Sequence, residues 1–436
     1  MKLTSAKLIC GTFVAVSAST YMVAALPDGL RGKGYITLHI ALTALMMAAL
    51  WLLGRPGERS GSALVQARWF LTSGIISRAI LFAVPPFTTS DIGRYLWDGH
   101  VALSGFDPYQ LTPAQAVGLL GSNWPMPFNG HEIVTIYPPG ALLWFVIAAS
   151  FGPVLSFLVW KLLVTAASIF TVLLAADILR TQKRERWLPL ISFSPLLLLE
   201  SGVGAHVDVF TGLAVAGAVA LFQKNRPVLT GIALGLGGLV KFLPLLLLIP
   251  FYRARSFISR KMILTATLAF AGGYGVAIAL GLEPLGSLFI FLDKWRFGSP
   301  LHSAISYFSG STRWQWFRAL PVLAGIALAL LSLGRCRQFS LSWWLAAPLI
   351  ASPVIFPWYL TPVIVAAAFR PSFFVLAWAT SLPLTYEVID GFDAQGIWRT
   401  AAWPLWIIVL TCLLGLWVDL RSAKRPLLQV PPVLCS

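Results

Sequence analysis

Residues 90–109 read SDIGRYLWDGHVALSGFDPY, and this stretch places three carboxylates and one arginine directly after an apolar run. If a helix begins at Asp91, then Asp91, Arg94 and Asp98 share one stripe of it, because positions i, i+3 and i+7 lie on one face. A second stripe contains apolar or small residues: Ile92, Leu96, Gly99 and Leu103. The pattern predicts an amphipathic helix lying on a membrane surface with its charged stripe turned away from the lipid. Arg94 is expected to keep both neighbouring carboxylates ionised.

The composition indicates the class of protein that contains this stretch. Of the 436 residues, 58% are hydrophobic and 11% are charged, and the mean hydropathy is +0.80. Soluble proteins contain about 25% charged residues, so we predict an all-α polytopic membrane protein. The 32 Lys and Arg residues against 16 acidic ones are explained by basic cytoplasmic loops. Nucleic acid is not an expected partner, because no polar domain is long enough to bind it.

Apolar runs of about 20 residues mark the predicted membrane spans. The run 8–26 is long for a cleaved signal peptide, and Leu26-Pro27-Asp28 is a poor cleavage site, so this run is predicted to be a retained span. With shorter or interrupted runs included, the pattern predicts a helical bundle of about 12–14 membrane segments. The clear runs are 8–26, 35–53, 69–86, 154–179, 207–222, 262–282, 317–333, 339–356 and 401–420; the interrupted ones are 187–199, 228–250, 358–369 and 373–388.

Basic clusters decide the predicted orientation, because cytoplasmic loops collect Lys and Arg. The clusters expected in the cytoplasm are 55–68, 180–186, 224–226, 253–261, 335–337 and 421–425. All of them reach that side only if the apolar piece 137–151 is interfacial or re-entrant on the outer face and if 228–250 is a broken hairpin. The Gly-rich sequence of that hairpin carries Lys241-Phe-Leu-Pro244 at its middle. This topology places the long loop and most acidic residues outside, so any chemistry is predicted to be extracytoplasmic.

We interpret residues 1–436 as a single transmembrane domain, since neither an internal repeat nor a soluble domain is apparent in the sequence. Its predicted parts are N-terminal spans over 1–89, an outer loop with interfacial helices over 90–136, a membrane core over 137–420 and a cytoplasmic tail over 421–436.

Three further outward stretches carry residues suited to a site, each with a simpler alternative that stays open. Glu200, His206 and Asp208 could bind a divalent metal, but residues two apart diverge on a helix and no third His is close. A structural or substrate role is therefore favoured, and no metal site is predicted. The segment with Arg296, His302 and Arg313 and the pair Trp358-Tyr359 could bind a phosphate or form an interfacial aromatic belt. Lys241 could also snorkel to the interface, and Asp91 could serve as a helix cap.

The motifs that the chain lacks and the predicted outer position of the carboxylates limit the sugar donor that an enzyme of this kind could use. No nucleotide-binding motif is present, and nucleotide sugars do not reach the outer face, so a sugar donor would arrive on a polyprenyl phosphate. Transfer from such a donor needs one carboxylate to deprotonate an acceptor hydroxyl and cations to stabilise the departing phosphate. Asp91 suits the first role, and Lys241, Arg296 and Arg313 suit the second. A helix N-terminus and Arg94 would both lower the pKa of Asp91 and weaken it as a base.

Taken together, Asp91-Ile-Gly-Arg94-Tyr95-Leu-Trp-Asp98-Gly99, Gly105-Phe-Asp107-Pro108-Tyr109 and Tyr137-Pro-Pro resemble the GT-C superfamily of membrane glycosyltransferases. More narrowly, the chain resembles the bacterial polyprenyl-phosphomannose-dependent α-mannosyltransferases over roughly residues 90–360. Further blocks follow in the order of that family: Pro195 to Glu200 with His206-Val-Asp208, Lys241-Phe-Leu-Pro244, Lys294-Trp-Arg-Phe297 and Pro357-Trp-Tyr-Leu360. The chain departs from the family at Asp107 and Gly298, where Asn is common, and in having three predicted spans before Asp91 where the simplest members have one.

The resemblance implies a GT-C-like bundle, a base at Asp91, and inverting transfer without a metal or other cofactor. The predicted function is a hexosyltransferase of the EC 2.4.1 type in the bacterial cytoplasmic membrane, with its active site facing outward. It would move a hexose, most simply mannose, from a polyprenyl-phosphate sugar to a glycan or glycolipid acceptor. The predicted substrate-binding residues are Arg94, Tyr95, Asp98, Asp107, Tyr109, Tyr137, Glu200, His206, Asp208, Lys241, Arg296, His302, Arg313, Trp358 and Tyr359, with Arg94 and Asp98 organising the loop.

The alternative function is a transporter or flippase of a lipid-linked saccharide. Transporters commonly show repeated halves and ionisable groups near the bilayer midplane. The carboxylates of this chain cluster in predicted outer loops instead, so the sequence favours the enzyme.

Overall fold

A computed structural model describes residues 2–54, 60–120, 124–125, 127, 130–254, 256–309, 323, 327, 340–396 and 398–423. Within these ranges the secondary structure is helical. The one exception is an isolated β-bridge between Phe297 and Val354. Five helices of the described residues are long and apolar enough to cross a membrane: Thr4–Ala24, Arg31–Gly54, Gly152–Thr181, Arg260–Ala279 and Ala402–Ser422. The predicted all-α polytopic membrane fold is confirmed, while the number of 12–14 segments and the division of the chain stay predictions.

The helices of the N-terminal part include the one that begins at Asp91. They are α1 Lys2–Ala18, α2 Thr20–Ala24, α3 Arg31–Gly54, α4 Ser60–Phe82, α5 Asp91–Leu103, α6 Pro113–Leu120, α7 Pro139–Ala149, α8 Gly152–Thr181, α9 Pro189–Ser192 and α10 Pro195–Gly202. The predicted interruption of the run 187–199 is confirmed as the break between α9 and α10.

The remaining helices complete the bundle. They are α11 Asp208–Gln223, α12 Pro227–Val240, α13 Leu248–Ala254, α14 Ser256–Ala279, α15 Leu288–Lys294, α16 Pro300–Ser309, α17 Leu341–Ile350, α18 Thr361–Phe369, α19 Phe373–Ser381, α20 Val388–Gln395 and α21 Ala402–Ala423. Turns of 3-10 helix occupy Glu185–Trp187, Leu243–Leu247, Pro357–Leu360 and Leu382–Glu387. The predicted span 317–333 lies outside the described residues except for 323 and 327.

Several helices begin where the sequence supplies proline, whose missing N–H costs nothing at the first helical turn. Pro139, Pro195 and Pro227 each start a helix. Ser194 completes the start of α10, because its hydroxyl accepts a hydrogen bond from the Leu197 N–H.

The segment 228–250 turns back on itself, as predicted. Gly231 faces Met262 and Leu239 faces Gly273, so α12 and α14 run parallel. The chain between them must therefore return, and it does so through 3-10 helix Leu243–Leu247 and α13. Gly237 and Gly238 lie against Pro244 and Leu245, so the returning half of the hairpin, which is helical, packs closely on α12. Lys241 consequently lies at the turn of the hairpin rather than midway along a membrane span.

The apolar piece 137–151 contains α7, which has only 11 residues, and its placement along the outer face or as a re-entrant segment stays a prediction. A helix of that length is about 16 Å long, against a hydrocarbon core of about 30 Å. The apolar stripe of α5 does not face the membrane as expected, however. Gly99 packs directly against the backbone of Phe145, and Ile92 and Leu96 are buried. The apolar stripe of α5 therefore contacts α7, and of that stripe only Leu103 is well exposed, at 45%.

One end of the bundle is rich in basic residues. Lys224 Nζ lies 3.9 Å from Asp177 Oδ2, which places the C-terminal ends of α11 and α8 together. This end, which we call the basic end, carries the described basic residues of several connecting segments: Arg180, Lys183, Arg184, Arg186, Lys224, Arg226, Arg253, Arg260 and Lys261. Asp208 begins α11 and Lys241 follows α12, so both lie at the opposite end of the bundle.

Two buried cations hold α4 in place beside α8 and α9. The Arg78 guanidinium donates to Ser168 Oγ at 2.8 Å and to the carbonyls of Gly74, Ser192 and Ile191 at 2.9, 3.0 and 3.0 Å. Lys161 donates to the carbonyl of Leu81 at 3.1 Å and to that of Val84. These carbonyls lie mostly at helix C-terminal ends, where a positive charge is favourable. The chain that leads into Asp91 is thereby anchored.

Candidate active site

Asp91 is the first residue of α5, and its side chain is 33% exposed. Its backbone N–H donates to Thr89 Oγ1 at 3.1 Å, and the Tyr95 hydroxyl donates to its Oδ2 at 3.3 Å. Tyr95 in turn accepts a long hydrogen bond of 3.4 Å from the Tyr137 hydroxyl. Tyr95, one of the predicted substrate-binding tyrosines, therefore contacts the predicted base and links it to Tyr137, and Asp91 keeps access to solvent.

His206 lies between two carboxylates and is fully buried. Its Nδ1 is 3.5 Å from Asp91 Oδ2, and its Nε2 is 3.4 Å from Glu200 Oε2. Among the described residues, neither ring nitrogen has a hydrogen-bond partner. The imidazole ring therefore connects Asp91 to Glu200 through two slightly long contacts.

Glu200 lies in the last turn of α10 and accepts hydrogen bonds from two tyrosines. The Tyr35 hydroxyl donates to Oε1 at 3.1 Å, and the Tyr386 hydroxyl lies 2.9 Å from both carboxylate oxygens. The Glu200 carboxylate is only 1% exposed. Burial raises the pKa of Glu200 to about 7, against the opposing influence of His206 and the two hydroxyls.

Lys241 and Asp208 form an ion pair at the same end of the bundle. Lys241 Nζ lies 2.5 Å from Asp208 Oδ1 and 3.8 Å from the ring centre of Tyr359. The Asp208 side chain is 2% exposed, whereas that of Lys241 is 27% exposed. The charge of Asp91 also acts on Lys241. The ammonium group is thus within electrostatic range of Asp91, and its side chain remains partly exposed.

A stack of aromatic rings fixes one face of His206. The His206 ring lies 3.8 Å from that of Trp358, the Trp358 ring 4.4 Å from Phe356, and the Phe356 ring 4.5 Å from Phe297. The β-bridge reinforces this stack, because the Ile355 N–H donates to the Phe297 carbonyl at 2.8 Å. The segment that contains Arg296 is thereby joined to the residues around Trp358.

Arg94, Asp98, Asp107 and Tyr109 make contacts within the loop. Arg94 donates to Asp98 Oδ1 at 2.7 Å and to the Gly130 carbonyl at 2.6 Å. Asp107 accepts hydrogen bonds from the backbone N–H groups of Tyr109 and Glu283, both at 2.9 Å. The Tyr109 hydroxyl donates to the Tyr137 carbonyl at 2.9 Å. These contacts support the loop-organising role predicted for Arg94 and Asp98.

The expectation that Arg94 lies between Asp91 and Asp98 is wrong. In the described part of the chain, Arg94 forms an ion pair with Asp98 and none with Asp91, whose carboxylate contacts His206 instead. Burial would raise the pKa of Asp91, but the contacts with His206, Thr89 and Tyr95 outweigh it and lower the pKa. Burial does raise the pKa of Asp98, although Arg94 opposes that shift.

The other segment predicted to bind phosphate contains Arg296, His302 and Arg313. The Arg296 guanidinium donates to the Trp295 carbonyl at 2.6 Å, and His302 is buried in α16. Burial, together with the positive charge of Arg296, lowers the pKa of His302 to about 4. Arg313 lies outside the described residues.

The structure thus brings together many of the predicted site residues in one cluster: Asp91, Tyr95, Tyr137, Glu200, His206, Asp208, Lys241, Trp358 and Tyr359. In the described part of the chain, no group of three or more His, Cys, Asp or Glu side chains is arranged to hold a metal ion. The cluster offers a partly exposed carboxylate near a partly exposed ammonium group, which is a suitable arrangement for proton abstraction beside an anionic leaving group.

Tyr35 and Tyr386 were not predicted as site residues. Each lies in an apolar stretch far from Glu200 in sequence, and nothing in the spacing connects the three residues. A buried carboxylate requires hydrogen-bond donors, so Glu200 indicated that donors must exist without indicating which residues supply them.

Residues 3–255, more than half of the chain, match the family model described as alpha-(1->6)-mannopyranosyltransferase, N-terminal domain. This range contains all members of the cluster named above except Trp358 and Tyr359. No curated protein and no solved structure matches the chain.

Proposed function

The chain belongs to the family of alpha-(1->6)-mannopyranosyltransferases, and from this premise we propose that it is an inverting enzyme with a polyprenyl-phosphate mannose donor. The acceptor is the 6-hydroxyl of a sugar in an extracytoplasmic glycan or glycolipid. The observation that carries this proposal is the position of Asp91, which is partly exposed at the start of α5 and within electrostatic range of the Lys241 ammonium group.

Asp91 acts as the general base. Its carboxylate takes the proton of the acceptor hydroxyl as that oxygen bonds to C1 of mannose, and the bond from C1 to the phosphate oxygen breaks. Inversion at C1 gives an α-linked product only from a β-linked donor. A positioned base of this kind contributes about 10²- to 10⁴-fold to a rate.

Lys241 lies where it can stabilise the departing phosphate. A preorganised cation beside a developing negative charge lowers the barrier most in a site that excludes water. Asp208 orients the ammonium group through the 2.5 Å contact, and the ring of Tyr359 covers it. The 27% exposure of Lys241 leaves space for phosphate oxygens.

The positive charge of the basic end supports a site that faces outward from the opposite end of the bundle. Basic residues collect at the basic end, and cytoplasmic loops of membrane proteins are enriched in Lys and Arg. Asp91, Asp208 and Lys241 lie at the other end, so the reaction would take place on the extracytoplasmic side.

Transfer by purified protein tests the donor and the linkage. We expect label from radiolabelled polyprenyl-phosphomannose to enter an α-mannoside acceptor through a new α-(1→6) bond, and label from polyprenyl-phosphoglucose to enter at most slowly. Transfer from GDP-mannose in the absence of any lipid-linked sugar would contradict the proposed donor.

Cysteine labelling tests the orientation. In a background without native cysteines, an impermeant maleimide should label Glu132→Cys in intact cells, because that side chain is 75% exposed in the loop. Asp177→Cys, which replaces an exposed residue at the basic end, is the matched position and should react only after permeabilisation. The reverse pattern would place the site in the cytoplasm.

A further inference from the structure

His206 and Glu200 are buried too deeply to contact a substrate directly. Their side chains are 0% and 1% exposed, and Trp358 covers one face of the imidazole ring. Both ring nitrogens nevertheless point at carboxylates, and neither has another partner among the described residues. Burying an imidazole ring whose nitrogens lack good hydrogen bonds costs folding free energy. A functional role for the ring would explain why the protein tolerates that cost.

We propose that His206 and Glu200 form a proton relay that removes the proton from Asp91 after sugar transfer. Both are positioning residues that act through Asp91, and the proposal rests on the proposed role of Asp91 as the base. The relay would keep the proton away from the product, so that Asp91 cannot return it and reverse the transfer.

The proton steps balance without any further reactant. The relay requires a starting state in which Asp91 and Glu200 are carboxylates and the single proton of the His206 ring is on Nε2, facing Glu200. Transfer leaves the acceptor proton on Asp91 Oδ2. That proton then moves to His206 Nδ1 as the Nε2 proton moves to Glu200 Oε2, which regenerates the Asp91 carboxylate. After the product leaves, the steps reverse, and Asp91 releases the proton to water at its exposed side.

The surroundings of Glu200 suit temporary storage of a proton. Two tyrosine hydroxyls can donate to the carboxylate, while burial favours the neutral acid. A carboxyl group with a pKa near 7 can both accept and release a proton at neutral pH. The titratable groups that face the relay from neighbouring elements are Asp91 on α5, Tyr35 on α3, Tyr386, and the Asp208–Lys241 pair, whose charges offset each other.

The pH dependence of turnover by the full-length protein distinguishes a relay from a structural role. Protonated Glu200 cannot accept a proton, so wild-type turnover of polyprenyl-phosphomannose should fall as the pH drops through about 7. Asp91 acting alone would stay ionised far below that pH, because its pKa is lowered. Glu200→Gln should be about tenfold slower at pH 8 and independent of pH between 5 and 8, with an unchanged KM for the donor. We call the fall in turnover below about pH 7 the acid limb of the profile. A Glu200→Gln protein that keeps the wild-type acid limb would overturn the relay.

Tyr386→Phe provides a second test if Glu200→Gln does not fold. Loss of one hydroxyl that stabilises the charged carboxylate should shift the acid limb upward by about one pH unit. A purely structural Tyr386 would change the rate without moving the limb, and an unmoved limb would reject the relay. Asp91→Asn separates the two proposals: if it stays active, the base is wrongly assigned, whereas an inactive Asp91→Asn with a wild-type profile for Glu200→Gln refutes only the relay.

Discussion

Replacing Lys241 by methionine should destabilise the fold by about 3 kcal/mol. The substitution leaves the Asp208 carboxylate without the cation 2.5 Å from its Oδ1, while that side chain is only 2% exposed. Its Oδ2 has no hydrogen-bond partner among the described residues. Removing one member of a buried ion pair costs about 3–5 kcal/mol, and the 27% exposure of Lys241 favours the lower end of that range.

A double-mutant cycle isolates the ion pair from the packing of each side chain. Asp208→Asn combined with Lys241→Met should recover at least about 2 kcal/mol relative to the sum of the single changes, because a neutral amide needs no cation. The measurement is denaturant unfolding of the purified protein in detergent, followed by tryptophan fluorescence. Single changes whose effects simply add would show that the pair contributes no coupling and would refute the reasoning.

The same variants separate stability from function. The double variant should be folded, because it carries neither an unpaired anion nor an unpaired cation. It should still transfer mannose slowly, because the ammonium group proposed to stabilise the phosphate is absent. Normal transfer by a stable double variant would remove Lys241 from the mechanism.

Two further pairs of variants test the framework around Asp91. Gly99→Ala should slow transfer at least about tenfold and lower stability, because its Cβ would collide with the Phe145 carbonyl; Gly93→Ala on the same helix has no atom closer than 3.9 Å and should keep both properties. Arg78→Met should cost about 3 kcal/mol or more in thermal or chemical unfolding, because it removes a buried charge with four hydrogen bonds. The control Arg180→Met removes an exposed i, i+3 pair and should stay within about 0.5 kcal/mol. Equal effects within either pair would contradict the structural assignment.

Local composition and loop charge were sufficient to predict the membrane class and two unusual segments. The parity of the basic clusters predicted that 137–151 does not cross the membrane, and the helix in that piece, α7, is shorter than a full span. The glycines of 228–250 predicted close packing and a break, and α12 does pack tightly before the chain turns at Lys241. These features could be predicted because they depend on residues near one another in sequence.

Long-range pairings within the site could not be predicted in the same way. Helical periodicity placed Asp91 and Arg94 on one stripe, but it contained no information about the elements that pack on that helix. Asp91 faces His206 from a distant segment, and Glu200 meets Tyr35 and Tyr386 from opposite parts of the chain. The membrane contact expected for the apolar stripe of α5 was wrong for a related reason: an apolar stripe fits a membrane surface and a neighbouring helix equally well.

Mannose transfer by Asp91→Asn tests the central claim most directly. Asparagine preserves size and polarity but cannot accept the acceptor proton, so the single-turnover rate with polyprenyl-phosphomannose should fall at least about 10²-fold. Donor binding and thermal stability should stay near those of the wild type. Asp177→Asn, the same change at the basic end, should transfer mannose at the wild-type rate. A folded Asp91→Asn protein that transfers mannose as fast as the wild type would contradict the account.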